Sequence, residues 1–498
     1  MLSASHKVSK NRRYIVLLVV LFVLLTVLSS SCSAQSISSA KKAAIPLTRC
    51  TLSLPSAPNQ IDAKCGTLIV PENPSIPDGR LINLNIAVVP AISRKAEPDP
   101  LFVLAGGPGQ SIIEIFPAIY PILFRLHQTR DIVLVDQRGT GQSNPLQCLN
   151  ANDKFLNNDE TIALLQSCPE KLDADLKYYT TDIAMKDLDQ VRSVLGYSTI
   201  NLYGTSYGTR AALTYLKMYP DQVRSIILDA VVDPTFVLYK DTTQDGQQAL
   251  NILLSRCEQN ADCSSAYPNL KNELDVVLHD LDKNPIDITI PHPTTGQPIE
   301  ISLTKELFTN TIFNSLYSPD FAALLPLSIH QAYTEDNFAP LITQSYAIDA
   351  NIYDGMFYAV TCTEDAPFIS SNQSDQNKGS SIFVDGSKDF VEVCKTWPKG
   401  DLFPELRTPV SSDIPTLILS GEADPVTPPW HADLLAQTLP NSLHLIFNGM
   451  GHGNLTNECA IKILGKFIDN ASIERLDTSC VEDVIPPPFF VDFSGPRP

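Results

Sequence analysis

The chain has 498 residues, 44% of them apolar and 18% charged, with 55 acidic against 36 basic side chains and a formal net charge of −19. That composition belongs to a folded globular protein, not to a disordered chain or a fibre. So acidic a balance also argues against a nucleic-acid role, because phosphate binding wants a basic footprint.

In chain order, the first signal is a leader. Lys7, Lys10, Arg12 and Arg13 precede a run of fifteen nearly unbroken apolar residues from Tyr14 to Leu28, and a Ser-rich patch with Cys32 and Ala34 follows. A basic start, a short apolar run and small residues form an export signal, whereas a spanning helix needs about 20 apolar residues. Two readings fit Cys32: the lipid-bearing first residue of a lipoprotein, or part of a leader cut after Ala34. Residues 1–34 are assigned to this leader. Setting Cys32 aside, ten cysteines fall into neighbouring pairs, 50–65, 148–168, 257–263, 362–394 and 459–480. Five bridges of that kind imply an oxidising compartment, so the folded part is expected outside the cytoplasm, periplasmic or secreted. None of the spacings reads as a zinc site.

Gly66–Pro71 and Leu81–Pro90 read as strands, the second with apolar/polar alternation, and suit an antiparallel start to a sheet. Short apolar runs follow at Leu101–Ala105, Ile132–Val135, Ile200–Tyr203, Ser225–Leu228, Thr416–Leu419 and His444–Phe447. Runs of four to six without alternation suit strands buried on both faces of a parallel sheet. Helical patterns such as Ala184–Leu195 and Tyr207–Met218 lie between them, so the fold class is α/β with a mostly parallel sheet. From about Pro234 to Thr408 the alternation stops in favour of helical stretches, Gln247–Cys257, Leu270–Leu281, Lys305–Leu316 and Ala322–Tyr333. The expected organisation is a core over 35–233 and 411–498, interrupted by a mainly helical cap over 234–410.

The chemistry gathers at strand ends. Gly204, Ser206 and Gly208 form a G-x-S-x-G between a buried strand and an Ala/Leu-rich helix. A turn this tight strains the central residue, lifts its hydroxyl clear of the sheet, and leaves no room for Cβ on either glycine. A serine hydroxyl needs a base. Of eight histidines, His452 alone follows the last strand between two glycines, Gly451 and Gly453. His6 belongs to the leader, His279, His292 and His330 to the cap, His127 to the opposite side of the sheet, His431 to a helix and His444 to the last strand. The base needs an acidic partner; Asp424 follows the strand Thr416–Leu419, with Glu422 as the competing acceptor. Backbone donors for an oxyanion are sought in the glycine-rich turn after Leu104, where Pro108 has no N–H, so Gly107 pairs with Tyr207. The order Ser206, Asp424, His452 is that of α/β-hydrolases.

Four segments carry a more specific resemblance: LAGGPGQS at 104–111, VDQRGTGQS at 135–143, YGTSYGTR at 203–210 and GEADPVTP at 421–428. Together they resemble the tripeptidyl aminopeptidase-like branch of the proline iminopeptidase family. The resemblance implies an α/β-hydrolase fold with a helical cap, serine exopeptidase activity on free N-termini, Ser206 as nucleophile, Asp424 as orienter and His452 as base. Where many proline iminopeptidases carry His before the glycine-rich turn, this chain has Ala105, which weakens a transfer of proline specificity.

An aminopeptidase must hold a protonated α-amine, and a partly buried carboxylate does so. Glu364 and Asp365, in the late cap beside Cys362, are the expected amine-binding pair, and the resemblance points the same way; helix-capping or solvated acids are the bland alternative. Asp136, Arg138 and Arg210 read as a structural charge network. The expected substrate is a peptide with a free N-terminus; no metal or organic cofactor is called for, and the only membrane contact foreseen is a lipid on Cys32. A carboxylesterase or lactonase acting on small esters uses the same machinery, and a non-catalytic surface binding protein on a hydrolase fold is the further alternative.

Overall fold

The computed structural model describes residues 45–497 apart from 55–58, 151–152, 154–155, 293–294, 348–351, 370–380, 384 and 456. The leader and Cys32 lie outside the described residues.

Nine strands form one sheet. In chain order they are β1 (Thr48–Ser53), β2 (Gln60–Pro71), β3 (Leu81–Val89), β4 (Leu101–Leu104), β5 (Ile132–Val135), β6 (Ile200–Thr205), β7 (Val223–Asp229), β10 (Thr416–Gly421) and β11 (Ser442–Phe447), while β8 (Ile286–Pro291) and β9 (Pro298–Leu303) form a separate hairpin. The spatial order is β1-β2-β3-β5-β4-β6-β7-β10-β11. The β1–β2, β2–β3 and β3–β5 pairs are antiparallel, and every later pair is parallel. The short uninterrupted strands are apolar throughout because both faces are covered. In β4, Leu101 and Val103 join an apolar cluster under the helices Ile112–His127 and Glu458–Asn470, while Phe102 and Leu104 join the opposite cluster under Thr181–Leu195 and Tyr207–Met218. This is an α/β-hydrolase sheet.

β1 has no counterpart among the strands read from sequence. It is an edge strand with one buried residue, Leu52, so apolar periodicity says little about it. The Cys50–Cys65 bridge ties it to β2. The other bridges are Cys148–Cys168, Cys257–Cys263, Cys362–Cys394 and Cys459–Cys480, the neighbouring pairs of the sequence.

Between β7 and β10 the chain runs through helices that include Thr242–Gln259, Leu270–Lys283, Lys305–Leu316, Leu325–Glu335 and Asp354–Glu364. Residues here such as Leu250, Leu274, Leu278, Phe308 and Ile329 form an apolar cluster of their own. Two details differ from the sequence reading. The region contains the β8–β9 hairpin, and Ala322–Tyr333 is split into Pro319–Ala322 and Leu325–Glu335. Pro326, lacking an N–H, sits in the first turn of the second helix, where no intrahelical donor is needed. Among the described residues no helix is long and apolar enough to cross a membrane.

Candidate active site

β6 delivers its last residue, Thr205, directly into a turn whose apex is Ser206 at φ 56°, ψ −125°, and the helix Tyr207–Met218 begins at once. A side chain at Gly204 would collide with the Gly208 carbonyl, and one at Gly208 with the Leu104 carbonyl. The glycines therefore let the elbow close on itself and press against the end of β4. Ser206 N–H donates to the Asp229 carbonyl at 2.9 Å, and the Thr209 hydroxyl donates to the Ser206 carbonyl at 2.6 Å, which fixes the strained residue from both sides.

The loops after β10 and β11, parallel neighbours in the sheet, meet beside this elbow. His452 Nδ1 lies 2.8 Å from Asp424 Oδ2 and 3.0 Å from Oδ1. A carboxylate only accepts, so Nδ1 carries the proton and Nε2 is left as the basic nitrogen. Asp424 is 1% exposed and is itself held, accepting the N–H groups of Val426 and Thr427 at 2.8 and 2.9 Å and the Thr427 hydroxyl at 2.8 Å. Burial would push the Asp424 carboxyl up, but the charge of His452 and these donors outweigh it and hold it below the usual carboxylate range. Burial likewise disfavours the imidazolium, and Asp424, with Asp229 behind it, overcomes that and raises His452 above the ordinary imidazole value. A methyl group on Gly453 would touch Thr205 Cγ2 at 4.0 Å, which places the His452 loop against the elbow. Among the described residues the Ser206 hydroxyl makes no hydrogen bond, and nucleophile–base contacts are commonly open in unliganded enzymes.

The competing groups are occupied elsewhere. Glu422 Oε2 accepts the Gly449 N–H at 2.8 Å and does not meet His452. His431 Nδ1 is 2.6 Å from Asp233, His444 bonds to Asp433 and Ser420, and His127 bonds to Tyr120 and the Pro90 carbonyl.

The glycine-rich turn lies across the elbow: a methyl group on Gly106 would come within 3.4 Å of Ser206 Cβ. Gly107 is exposed. Tyr207 is the first residue of its helix, so its N–H has no intrahelical acceptor and sits at the positive end of the helix dipole. The Tyr207 N–H is thus free of the helix ladder next to Ser206, and Gly107 lies one residue past the glycine that approaches it.

The acidic pair expected to bind an amine lies in a buried network. Glu364 and Asp365 are 2% and 1% exposed, and their oxygens are already engaged. Asp365 accepts two bonds from Arg210, at 2.8 and 2.9 Å, and one from Arg407 at 3.0 Å. Glu364 accepts the Thr181 N–H and hydroxyl at 2.8 and 2.9 Å, capping the helix Thr181–Leu195. Burial pushes Glu364 up to about 7. The pair is thus buried within the charge network around Arg210. Arg138 is a similar buried fixture, paired with Asp187 at 2.7 and 2.9 Å, and Asp136 accepts from Ser111 and Asn85.

Sequence reasoning gave no role to Thr427, although it lies in the 421–428 segment, and missed Asp229, Asn454 and Tyr317, which pack around the constellation with no local pattern to mark them. Among the described residues no group of three or more His, Cys, Asp or Glu is arranged to hold a metal ion.

Residues 99–252 match the family described as alpha/beta hydrolase fold, and residues 383–480 the family described as TAP-like protein. Serine protease Hip1 of Mycobacterium tuberculosis H37Rv is 27% identical over 443 residues, covering 81% of this chain and 84% of its own. Tripeptidyl aminopeptidase of Streptomyces lividans is 28% identical over 193 residues, 34% of this chain and 36% of its own. The solved proline iminopeptidase of Mycobacterium smegmatis covers 82% of this chain and 98% of its own at 15% identity, with a TM-score of 0.36. The chain is an α/β-hydrolase. Through its TAP-like segment and its likeness to Hip1 and the tripeptidyl aminopeptidase, it is similar to serine peptidases of that fold.

Proposed function

We propose that the protein is an exported aminopeptidase that removes single residues or short peptides from a free amino end through an acyl-enzyme. The observation that supports this reading best is the His452–Asp424 pair standing beside a serine on a strained strand-to-helix turn. In this reading Ser206 Oγ attacks the scissile carbonyl carbon while His452 Nε2 takes its proton. Asp424 keeps the imidazole oriented and offsets its positive charge. The N–H groups of Gly107 and Tyr207 hold the oxyanion, and each such donor is worth on the order of 10²–10³ in rate. Nε2 then returns the proton to the leaving amine as the C–N bond breaks. A water, deprotonated by the same nitrogen, releases the acyl product and frees Ser206.

Residues 234–410 act here as the cap over the site, and export is supported by the basic leader together with five disulfides. A fluorophosphonate probe should label the wild type and leave Ser206→Ala unlabelled; equal labelling of both would discard the nucleophile assignment. Mass spectrometry of the mature N-terminus distinguishes lipidation at Cys32 from cleavage after Ala34.

One observation favours a second reading, a carboxylesterase or lactonase: the expected amine-binding acids are committed to Arg210, Arg407 and Thr181. Rates on a free-amine peptide and its N-acetylated form decide between the two. An aminopeptidase loses most of its rate on blocking, and an esterase does not discriminate.

A further inference from the structure

β7 ends in Asp229, a fully buried carboxylate that the mechanism above does not use. Its main chain and its side chain serve opposite partners. The carbonyl accepts the Ser206 N–H at 2.9 Å. The carboxylate accepts the Asn454 N–H at 3.0 and 2.9 Å on its two oxygens, and the Asn454 side-chain amide at 3.0 Å. Asn454 lies two residues past His452. A third donor, the Tyr203 hydroxyl, reaches Oδ2 at 3.0 Å and accepts the Thr205 hydroxyl at 2.6 Å. One residue therefore grips the elbow and the loop that carries the imidazole, two segments far apart in sequence.

We propose that Asp229 is a positioning residue that sets the reach between Ser206 and His452, acting through Asn454. The proposal rests on the reading of those two residues as nucleophile and base. The chemistry of the contact requires a carboxylate. Three donors converge on two acceptor oxygens, so an amide in this place would turn its own N–H groups toward Asn454 or Tyr203 and lose the grip on one side. Buried groups in such a network leave little slack, and a shift of about 1 Å at a reacting pair costs on the order of 10²-fold in rate. Asp229 also bears on the base electrically. The groups facing His452 are Asp424 from the β10 loop, Asp229 from β7, and the Tyr317 ring from the cap side; burial raises the Asp229 carboxyl above its usual range against its Asn454 and Tyr203 donors, and in its ionised form it joins Asp424 in stabilising the imidazolium.

The test is the second-order rate of fluorophosphonate labelling as a function of pH for wild type, Asp229→Asn, Asn454→Ala and Ser206→Ala. Asp229→Asn should label on the order of 10²-fold more slowly. Its acid limb should move to lower pH, because a negative charge has been removed from beside the imidazole. A slower rate with an unmoved acid limb would mark a merely structural loss and overturn the proposal, as would a rate equal to wild type. Should Asp229→Asn not fold, Asn454→Ala carries the decision: it keeps the backbone donor, loses the amide donor, and should label several-fold more slowly at an unchanged melting temperature. A wild-type rate in that variant overturns the proposal. Labelling of Ser206→Ala would instead remove the nucleophile reading, and the positioning role with it, so the two failures are distinguishable.

Discussion

The carbonyl oxygen of Tyr317 accepts the backbone N–H of His452 at 2.8 Å, and the two rings meet edge to face with centroids 5.1 Å apart. Tyr317 follows the helix Lys305–Leu316, inside the segment inserted between β7 and β10. The loop of the expected base is therefore built partly against that insertion, and the core alone does not complete its surroundings. Substituting Tyr317→Ala keeps the carbonyl bond and removes the ring. Aromatic contacts of this kind are worth about 0.5–1.5 kcal/mol, so kcat/KM on a peptide anilide should fall roughly 3–10-fold. An unchanged value would show that the ring does not bear on the imidazole.

The Asp424 carboxylate has a larger task. In Asp424→Asn the amide can no longer act only as an acceptor toward Nδ1–H, the imidazole tautomer is lost, and kcat should drop on the order of 10⁴-fold. The pH profile gives a second readout. Because Asp424 raises His452, the imidazole stays protonated to higher pH, and the acid limb of kcat/KM in wild type should lie above the ordinary imidazole value of about 6.5. The limb should move down in pH in any residual activity of the variant.

Glu364 offers a stability test with a definite sign. Its carboxyl is raised by burial to about 7, above its value in an unfolded chain. Its contribution is thus fully present below the unfolded value of about 4.3 and is lost as pH rises through about 7. In Glu364→Gln that dependence disappears. Denaturant unfolding of both proteins should show the wild type losing ground to the variant between about pH 4 and 7 and no further above that. The free-amine to N-acetyl rate ratio should stay near wild type, since the carboxylate is buried and bonded to Thr181; a large fall in that ratio would return Glu364 to amine binding.

Breaking the neighbouring pair should be costlier. Asp365→Asn leaves Arg210, which is 8% exposed, without its bidentate partner. Unpairing a buried charge costs about 3–5 kcal/mol, readable as a fall in the urea midpoint. A variant as stable as wild type would show that solvent reaches the guanidinium.

The Cys362–Cys394 bridge closes a separation of 32 residues and ties the helix Asp354–Glu364 to Ser387–Cys394. Replacing both cysteines by serine should cost about 3–4 kcal/mol on the chain-entropy account. The loss should appear in the melting temperature, with kcat nearly unchanged in the protein that remains folded.

Much of this architecture is legible without coordinates where the determining forces are local. The apolar runs Ile132–Val135 and Thr416–Leu419 announce strands covered on both faces, and Gly204 and Gly208 announce a turn too tight for side chains. The helix Ile112–His127 is hidden by contrast, because Pro117 and Pro121 interrupt its pattern, and only packing of Phe116, Leu123 and Leu126 against the sheet sustains it. Sequence order alone singles out Ser206, Asp424 and His452 as residue types at successive strand ends. Which carboxylates stay free and which are spent on arginine depends on partners such as Arg210 and Asp365, 155 positions apart. The grip of Asp229 on Asn454 spans 225. Periodicity and turn chemistry act over a few residues and so are written in the chain itself. The pairing of buried charges is settled only when distant segments are brought into one low-dielectric interior, where each must find a partner.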